Sequence, residues 1–98
     1  MKKWYQFTTS TGDVWRVPTR IIAENRAEYY AKKNNITFAE SLQNDTIPFF
    51  ESDDYEIEDW ARNNMDWSDV ENYAEKMKDV GLDMQEEWVN PEETEVAD

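Results

Sequence analysis

Cysteine and histidine are both absent from this 98-residue chain. The first absence rules out a disulfide framework and thiol chemistry. The second removes the commonest general base and the commonest transition-metal ligand. Glycine occurs twice and proline three times, and no glycine-rich loop that could cradle a phosphate is present. No apolar run approaches the roughly 20 residues that a membrane-spanning helix needs. The opening MKKWYQF carries two lysines but no apolar stretch or small-residue cleavage site, so it does not read as a signal peptide. These absences lead us to expect a soluble intracellular protein that does not act on membranes, holds no cofactor or metal, and is not an enzyme.

Positive charge is scarce beyond residue 36. Residues 1–36 hold seven Lys/Arg against three acids, a net of +4, whereas residues 37–98 hold three against twenty, a net of −17; the two sum to −13. A field that lopsided governs solubility and the choice of partners. Aromatic residues are plentiful, with five Trp, five Tyr and four Phe. Side chains of that size bury enough area for a few of them to hold a small domain together. Against a mean hydropathy of −1.00, the aromatics are expected to win over residues 1–89, which form one compact domain. Residues 90–98, with Pro91, several acids and little apolar surface, are expected to be a disordered acidic tail.

Aromatic and β-branched residues over 3–9 predict a strand with Tyr5, Phe7 and Thr9 on one side and Trp4, Gln6 and Thr8 on the other. Ser10-Thr11-Gly12-Asp13 supplies turn chemistry, and Val14–Val17 completes a β-hairpin. From Thr19 to Lys33 the pattern is helical, with Ile22, Ala23, Arg26, Ala27, Tyr30 and Ala31 on one face; Asn34-Asn35 can stop it. Thr37–Glu40 is a capping-box pattern that starts a short helix, which Asn44-Asp45 and Pro48 are expected to break, leaving an aromatic connector through Phe50. A further helix capped at Ser52 or Asp53 runs to about Asn64, with Tyr55, Ile57, Trp60, Ala61 and Met65 as its apolar stripe. A second capping box at Ser68–Glu71 opens a helix in which Val70, Tyr73, Ala74 and Met77 face the core and Gly81 is the stop. Leu82–Val89 reads as extended, with Met84 and Trp88 as anchors, which is compatible with either an unpaired segment or a third short strand near 82–89 paired to the hairpin. The fold class is therefore α+β, an N-terminal hairpin packed on three or four helices.

The acidic run Asp53–Asp59 lacks the glycine and the alternating oxygen ligands of a calcium loop, because Ile57 sits in its middle; acids at a helix N-terminus explain it better. Lys2, Lys3, Arg16 and Arg20 lie near Trp4, Tyr5, Phe7 and Trp15 in sequence, the composition of single-strand binders. The rest of the chain repels phosphate, so no direct nucleic-acid binding is expected. The acidic surface is the remaining signal. Asp54, Glu58, Asp59, Asp66, Asp69 and Glu75 (with Glu71 beside them) are expected on the outer sides of the last helices, where carboxylates along helices can occupy a basic groove as a phosphate array does. Trp67 is a candidate hot spot if exposed and a core residue if buried. The basic first helix, through Arg20, Arg26, Lys32 and Lys33, could meet the acids of a second copy or neutralise them within one molecule; the second is the simpler expectation.

The strings VWRVP (Val14–Pro18), IIAENRAEYYA (Ile21–Ala31), DWARNNMDWSDV (Asp59–Val70) and EEWVN (Glu86–Asn90) resemble a group of small acidic bacteriophage proteins with no established activity. The resemblance covers most of the chain in order, apart from the 35–51 connector and the tail. It implies a bacterial host cytoplasm as the setting and a host or phage protein as the partner, and it assigns no functional residues. The expected function is thus binding to a basic or nucleic-acid-binding protein through the acidic helical surface, as a nucleic-acid mimic or inhibitor. The alternative is a structural or virion-associated protein that self-associates, so both a monomer and a small homo-oligomer are compatible with the sequence.

Overall fold

Alternation in WYQFT makes the first strand, β1 (Trp4–Thr8), and buries Tyr5 and Phe7 completely or nearly so. The computed structural model describes residues 1–77 and 84–98. β2 (Val14–Pro18) returns antiparallel, with Trp4 opposite Pro18 and Thr8 opposite Val14. The Thr9 amide donates to the Asp13 carbonyl at 2.8 Å and the Gly12 amide to the Thr9 carbonyl at 3.0 Å. Gly12 takes φ +89°, a backbone conformation that a side chain would strain.

Pro18 then opens helix α1 (Thr19–Asn34), and Asn35 closes it in the left-handed conformation at φ 56°. Ile22, Ala23, Arg26 and Ala27 of the expected face are buried; Tyr30 and Ala31 are half-buried at its far end. The chain stays helical through the connector: α2 (Phe38–Glu40), a π-helical segment Ser41–Thr46, and α3 (Ile47–Ser52) follow without interruption. The expected break at Asn44-Asp45 and Pro48 does not occur. Pro48 sits in the first turn of α3, where its missing N–H is not needed. The widened turn before it bonds Ile47 N–H to the Leu42 carbonyl, five residues back. Asp45 and Thr46 are meanwhile held by Arg26, whose Nη1 lies 3.2 Å from Asp45 Oδ2 and 2.9 Å from Thr46 Oγ1. The same guanidinium stacks 4.6 Å from the rings of both Tyr30 and Phe49. Arginine suits such a place because its planar, weakly hydrated cation pairs and stacks at once.

Helix α4 (Tyr55–Asn64) buries Ile57 and Ala61, and Asp53 Oδ1 accepts the Tyr55 amide at 3.0 Å. Tyr55, read as part of the apolar stripe, instead stands 58% exposed. The long helix expected from Ser68 is a single turn, α5 (Trp67–Val70), whose capping box is Asp66 with Asp69. The chain then turns into a two-residue strand, β3 (Glu75–Lys76), paired with Trp15 and Arg16 of β2. Cross-strand contacts override the helical period here: Arg16 grips Glu75, and Lys76 lies over the Trp15 ring at 5.4 Å. Tyr73 and Met77 are left exposed. The expected stop at Gly81 and the start of the extended segment at Leu82 lie outside the described residues.

Met84–Val89 is not a strand but a helix, α6. Its Trp88 is fully buried, edge-on to Tyr5 at 5.5 Å and Phe7 at 5.2 Å, and its Nε1 donates to the carbonyls of Ala61 and Met65. Glu87, also buried, accepts the amide (2.8 Å) and hydroxyl (2.6 Å) of Ser10 and so ties α6 to the hairpin turn. The tail expectation is corrected as well. Glu93–Ala97 forms β4, antiparallel to β1 over its whole length, from Thr8 opposite Glu93 to Trp4 opposite Ala97. β1 offers a row of backbone donors and acceptors that burial forbids leaving unpaired, and the E-T-E-V-A alternation suits a half-buried strand. The sheet order is β3-β2-β1-β4, and the fold is α+β. Among the described residues no helix is long and apolar enough to cross a membrane.

Candidate functional site

Folding disperses the six carboxylates that the sequence grouped. Asp54 lies 2.8 Å from the Lys2 ammonium, and that hydrogen bond holds the Lys2 pKa above its ordinary range. Glu58, one turn on along α4, accepts a hydrogen bond from the Thr94 hydroxyl of β4. Asp59 accepts from Asn63 Nδ2 at 2.9 Å within its own helix. Asp66 and Asp69 cap α5 on each other's backbone, with the Asp66 amide 2.8 Å from Asp69 Oδ2; they serve a local structural role. Glu75 is held by Arg16 through Nε at 2.9 Å and Nη2 at 2.7 Å. Trp67 is half-buried, edge-on to Trp15 at 5.1 Å and Phe7 at 6.1 Å, within the aromatic core.

Those acids line different parts of the surface. Asp54 and Glu58 share a shallow groove of about 230 Å³ with Tyr5, Tyr55, Thr94, Glu95 and Val96. Asp69 lines another, with Glu24, Glu28, Phe38 and Tyr73. Glu75 lies on β3 at the far edge of the sheet, about 14 Å from β4 at three strand spacings. A single continuous face made of all six is therefore not what the structure presents.

It gathers a different set. On β4, Thr94 and Val96 share the inner side with Phe7 and Tyr5, their register partners; Glu93 and Glu95 lie opposite Thr8 and Gln6 on the outer side. β4 is thereby an edge strand with carboxylates on both flanks: Glu93 and Glu95 outside, Glu58 and Asp54 within the groove. Tyr55 stands exposed beside them. Among the described residues no cation lies within 4 Å of Glu93 or Glu95. Tyr5, beneath this edge, has its pKa pushed up, first by burial and then by the Glu58 charge. Glu93 and Glu95 were missed by sequence reasoning; the period-two alternation was the signal that could have found them.

Of the edge carboxylates Asp54 is paired with Lys2, whose charge also reaches Glu95, and most other cations are engaged elsewhere. Lys2–Asp54, Arg16–Glu75 and Arg26–Asp45 each join the basic first third of the chain to its acidic remainder, and Lys32–Glu28 and Arg20–Glu24 pair within α1. The charge split is thus neutralised in part inside one molecule, though of the first-helix cations named from the sequence only Arg26 reaches the acidic remainder; the other cross pairs come from Lys2 and Arg16, outside that helix. The arrangement can accept hydrogen bonds and ion pairs along an open strand. Among the described residues no three carboxylates converge as ligands for a metal ion. Compared with protein-family models, with curated proteins and with solved structures, the chain matches none.

Proposed function

We propose that this chain is a binding protein whose partner is a basic protein, captured at the acidic edge formed by β4 and the adjoining side of α4. The observation that carries the reading is the placement of Glu58, Glu93 and Glu95 around an edge strand. An edge strand offers a row of backbone donors and acceptors to an incoming chain. Carboxylates on its flanks favour lysine and arginine on that chain and speed its approach. Tyr55, 58% exposed, belongs to the residue types that concentrate interface energy. Glu93 and Glu95 of two copies laid edge to edge would repel, which weighs against self-association through this strand.

A nucleic-acid mimic is a narrower form of the same reading. Residues two apart on one side of a strand are about 6.8 Å apart, twice the roughly 3.4 Å axial spacing of phosphates on one strand of duplex DNA. Glu93 and Glu95 have that relation.

The test is affinity capture at low and moderate salt with three forms of the chain: the unaltered protein, Glu58→Gln/Glu93→Gln/Glu95→Gln, and the control Glu24→Gln/Glu28→Gln/Glu71→Gln. Both variants remove three charges. A basic protein retained by the unaltered chain and the control, released by the β4-edge variant and weakened by salt supports the reading. Equal retention by both variants contradicts it. If duplex DNA competes for the same partner, the mimic form holds; if it does not, the partner is read as a basic protein without that mimicry.

A further inference from the structure

One grouping singled out in the sequence, cations beside aromatics near the N-terminus, is not used by the acidic edge. Folding divides it. Tyr5 and Phe7 go into the core, while Lys2, Lys3, Trp4 and Arg20 line a cavity of about 530 Å³, together with Pro18, Thr19, Tyr73 and Glu75. Its volume is in the range of small-molecule sites.

The frame of this cavity is fixed. Thr19 donates its amide to the Lys3 carbonyl at 2.8 Å and its hydroxyl to the Lys2 carbonyl, so the Lys2–Trp4 backbone is pinned to the start of α1. The Arg16 guanidinium covers one face of the Trp4 ring at 3.9 Å, and Arg16 is itself held by Glu75. Tyr73 is 48% exposed. Lys2 is committed to Asp54. Among the described residues Lys3 has no carboxylate within 4 Å, and Arg20, 63% exposed, only grazes Glu24 at 3.9 Å. A chain of net charge −13 therefore has two cations, Lys3 and the loosely paired Arg20, on the lining of a cavity that also carries an indole, a phenol and the Arg16-held carboxylate of Glu75.

We infer that this cavity binds a nucleoside phosphate, with the base against Trp4 and Tyr73 and the phosphate between Lys3 and Arg20. Stacking on aromatic side chains is tolerant of base identity, and arginine and lysine together supply the donors a phosphate accepts. A small ligand is favoured over a polynucleotide because one phosphate carries a charge that two cations can balance beside a Glu75 already held by Arg16, whereas a strand would run on into Glu24 and Asp54, the partners of Arg20 and Lys2. This site is distinct from the β4 edge, so either assignment can fail without the other.

The experiment is a calorimetric and NMR titration of the full chain with adenosine 5′-monophosphate, adenosine, inorganic phosphate and a short single-stranded oligonucleotide. The inference predicts saturable binding of the monophosphate, with adenosine and phosphate each at least about tenfold weaker. Lys3→Gln/Arg20→Gln should weaken the monophosphate about tenfold or more while leaving the melting temperature unchanged. Trp4→Leu should weaken it without changing the affinity for inorganic phosphate. No saturation by about 5 mM, or an affinity that the double variant leaves unchanged, would overturn the assignment. So would an oligonucleotide that binds at least about tenfold tighter than the monophosphate. Self-association abolished by the same double variant would overturn it too, since the occupant would then be the carboxylates of a second copy.

Discussion

At one edge of the sheet β4 contributes five residues, with Glu93 and Glu95 facing outward and, among the described residues, no cation within 4 Å of either; at the other β3 contributes two, and its Glu75 is clasped by Arg16. The acidic β4 edge lies beside Asp54 and Glu58, while the β3 edge borders a cavity that holds Lys3 and Arg20. Both edges belong to one sheet in which Glu95, Gln6, Arg16 and Glu75 stand in a single cross-strand row. The contrast teaches that the position of a carboxylate in the pairing register, more than the density of acids in the sequence, decides whether it is neutralised at home or offered outward.

The largest expected effect removes what both edges share. Trp88 packs beneath β1 against Tyr5 and Phe7, so Trp88→Ala should cost about 3–5 kcal/mol and loosen both edges in one urea transition. Removing residues 91–98 breaks the comparison on one side only. Val96 loses its packing on the core and β1 loses its outer partner, for a loss of about 1–3 kcal/mol by the same denaturation assay. A disordered tail would predict no change.

Tyr5 sharpens the comparison from beneath β4. Its phenol is raised by burial, so the folded chain keeps the proton where the unfolded chain, ionising near 10, has released it. The sign follows: this contribution is intact below about pH 10 and falls by up to about 1.4 kcal/mol per pH unit above it, until the folded-state value is passed. Tyr5→Phe should leave neutral-pH stability within about 1 kcal/mol, since among the described residues the hydroxyl has no hydrogen-bond partner, and should flatten the alkaline decline measured by circular dichroism. The smallest effect belongs to the β3 edge. Glu75→Gln weakens an ion pair whose carboxylate is more than half exposed, and a melting curve should register no more than about 1 kcal/mol.

The hairpin and α1 were legible because their signals are local. Strict alternation over Trp4–Thr8, Gly12 in a turn that needs positive φ, and a 3.6-residue period closed by Asn35 all agree with their surroundings. The second half was less legible because short charged segments take their structure from what they meet. Glu75–Lys76 becomes a strand through Arg16 and Trp15, a partner some 60 residues away. Met84–Val89 coils so that Trp88 can reach the carbonyls of Ala61 and Met65. The acidic edge was hidden for the same reason. Glu58 and Glu95 are brought together only when β4 pairs with β1, and composition alone gave Glu93–Ala97 the look of a solvated tail.

The most direct test of the account is amide hydrogen exchange with NMR on the isolated chain, read at residues 93–97. If β4 is the folded edge that presents Glu93 and Glu95, these residues should show slowed exchange at the amides bonded to β1 and cross-strand contacts linking Glu95 with Gln6 and Val96 with Tyr5. Exchange at random-coil rates throughout 93–97, with no contact to β1, would contradict it and return the acidic edge to a mere charged tail.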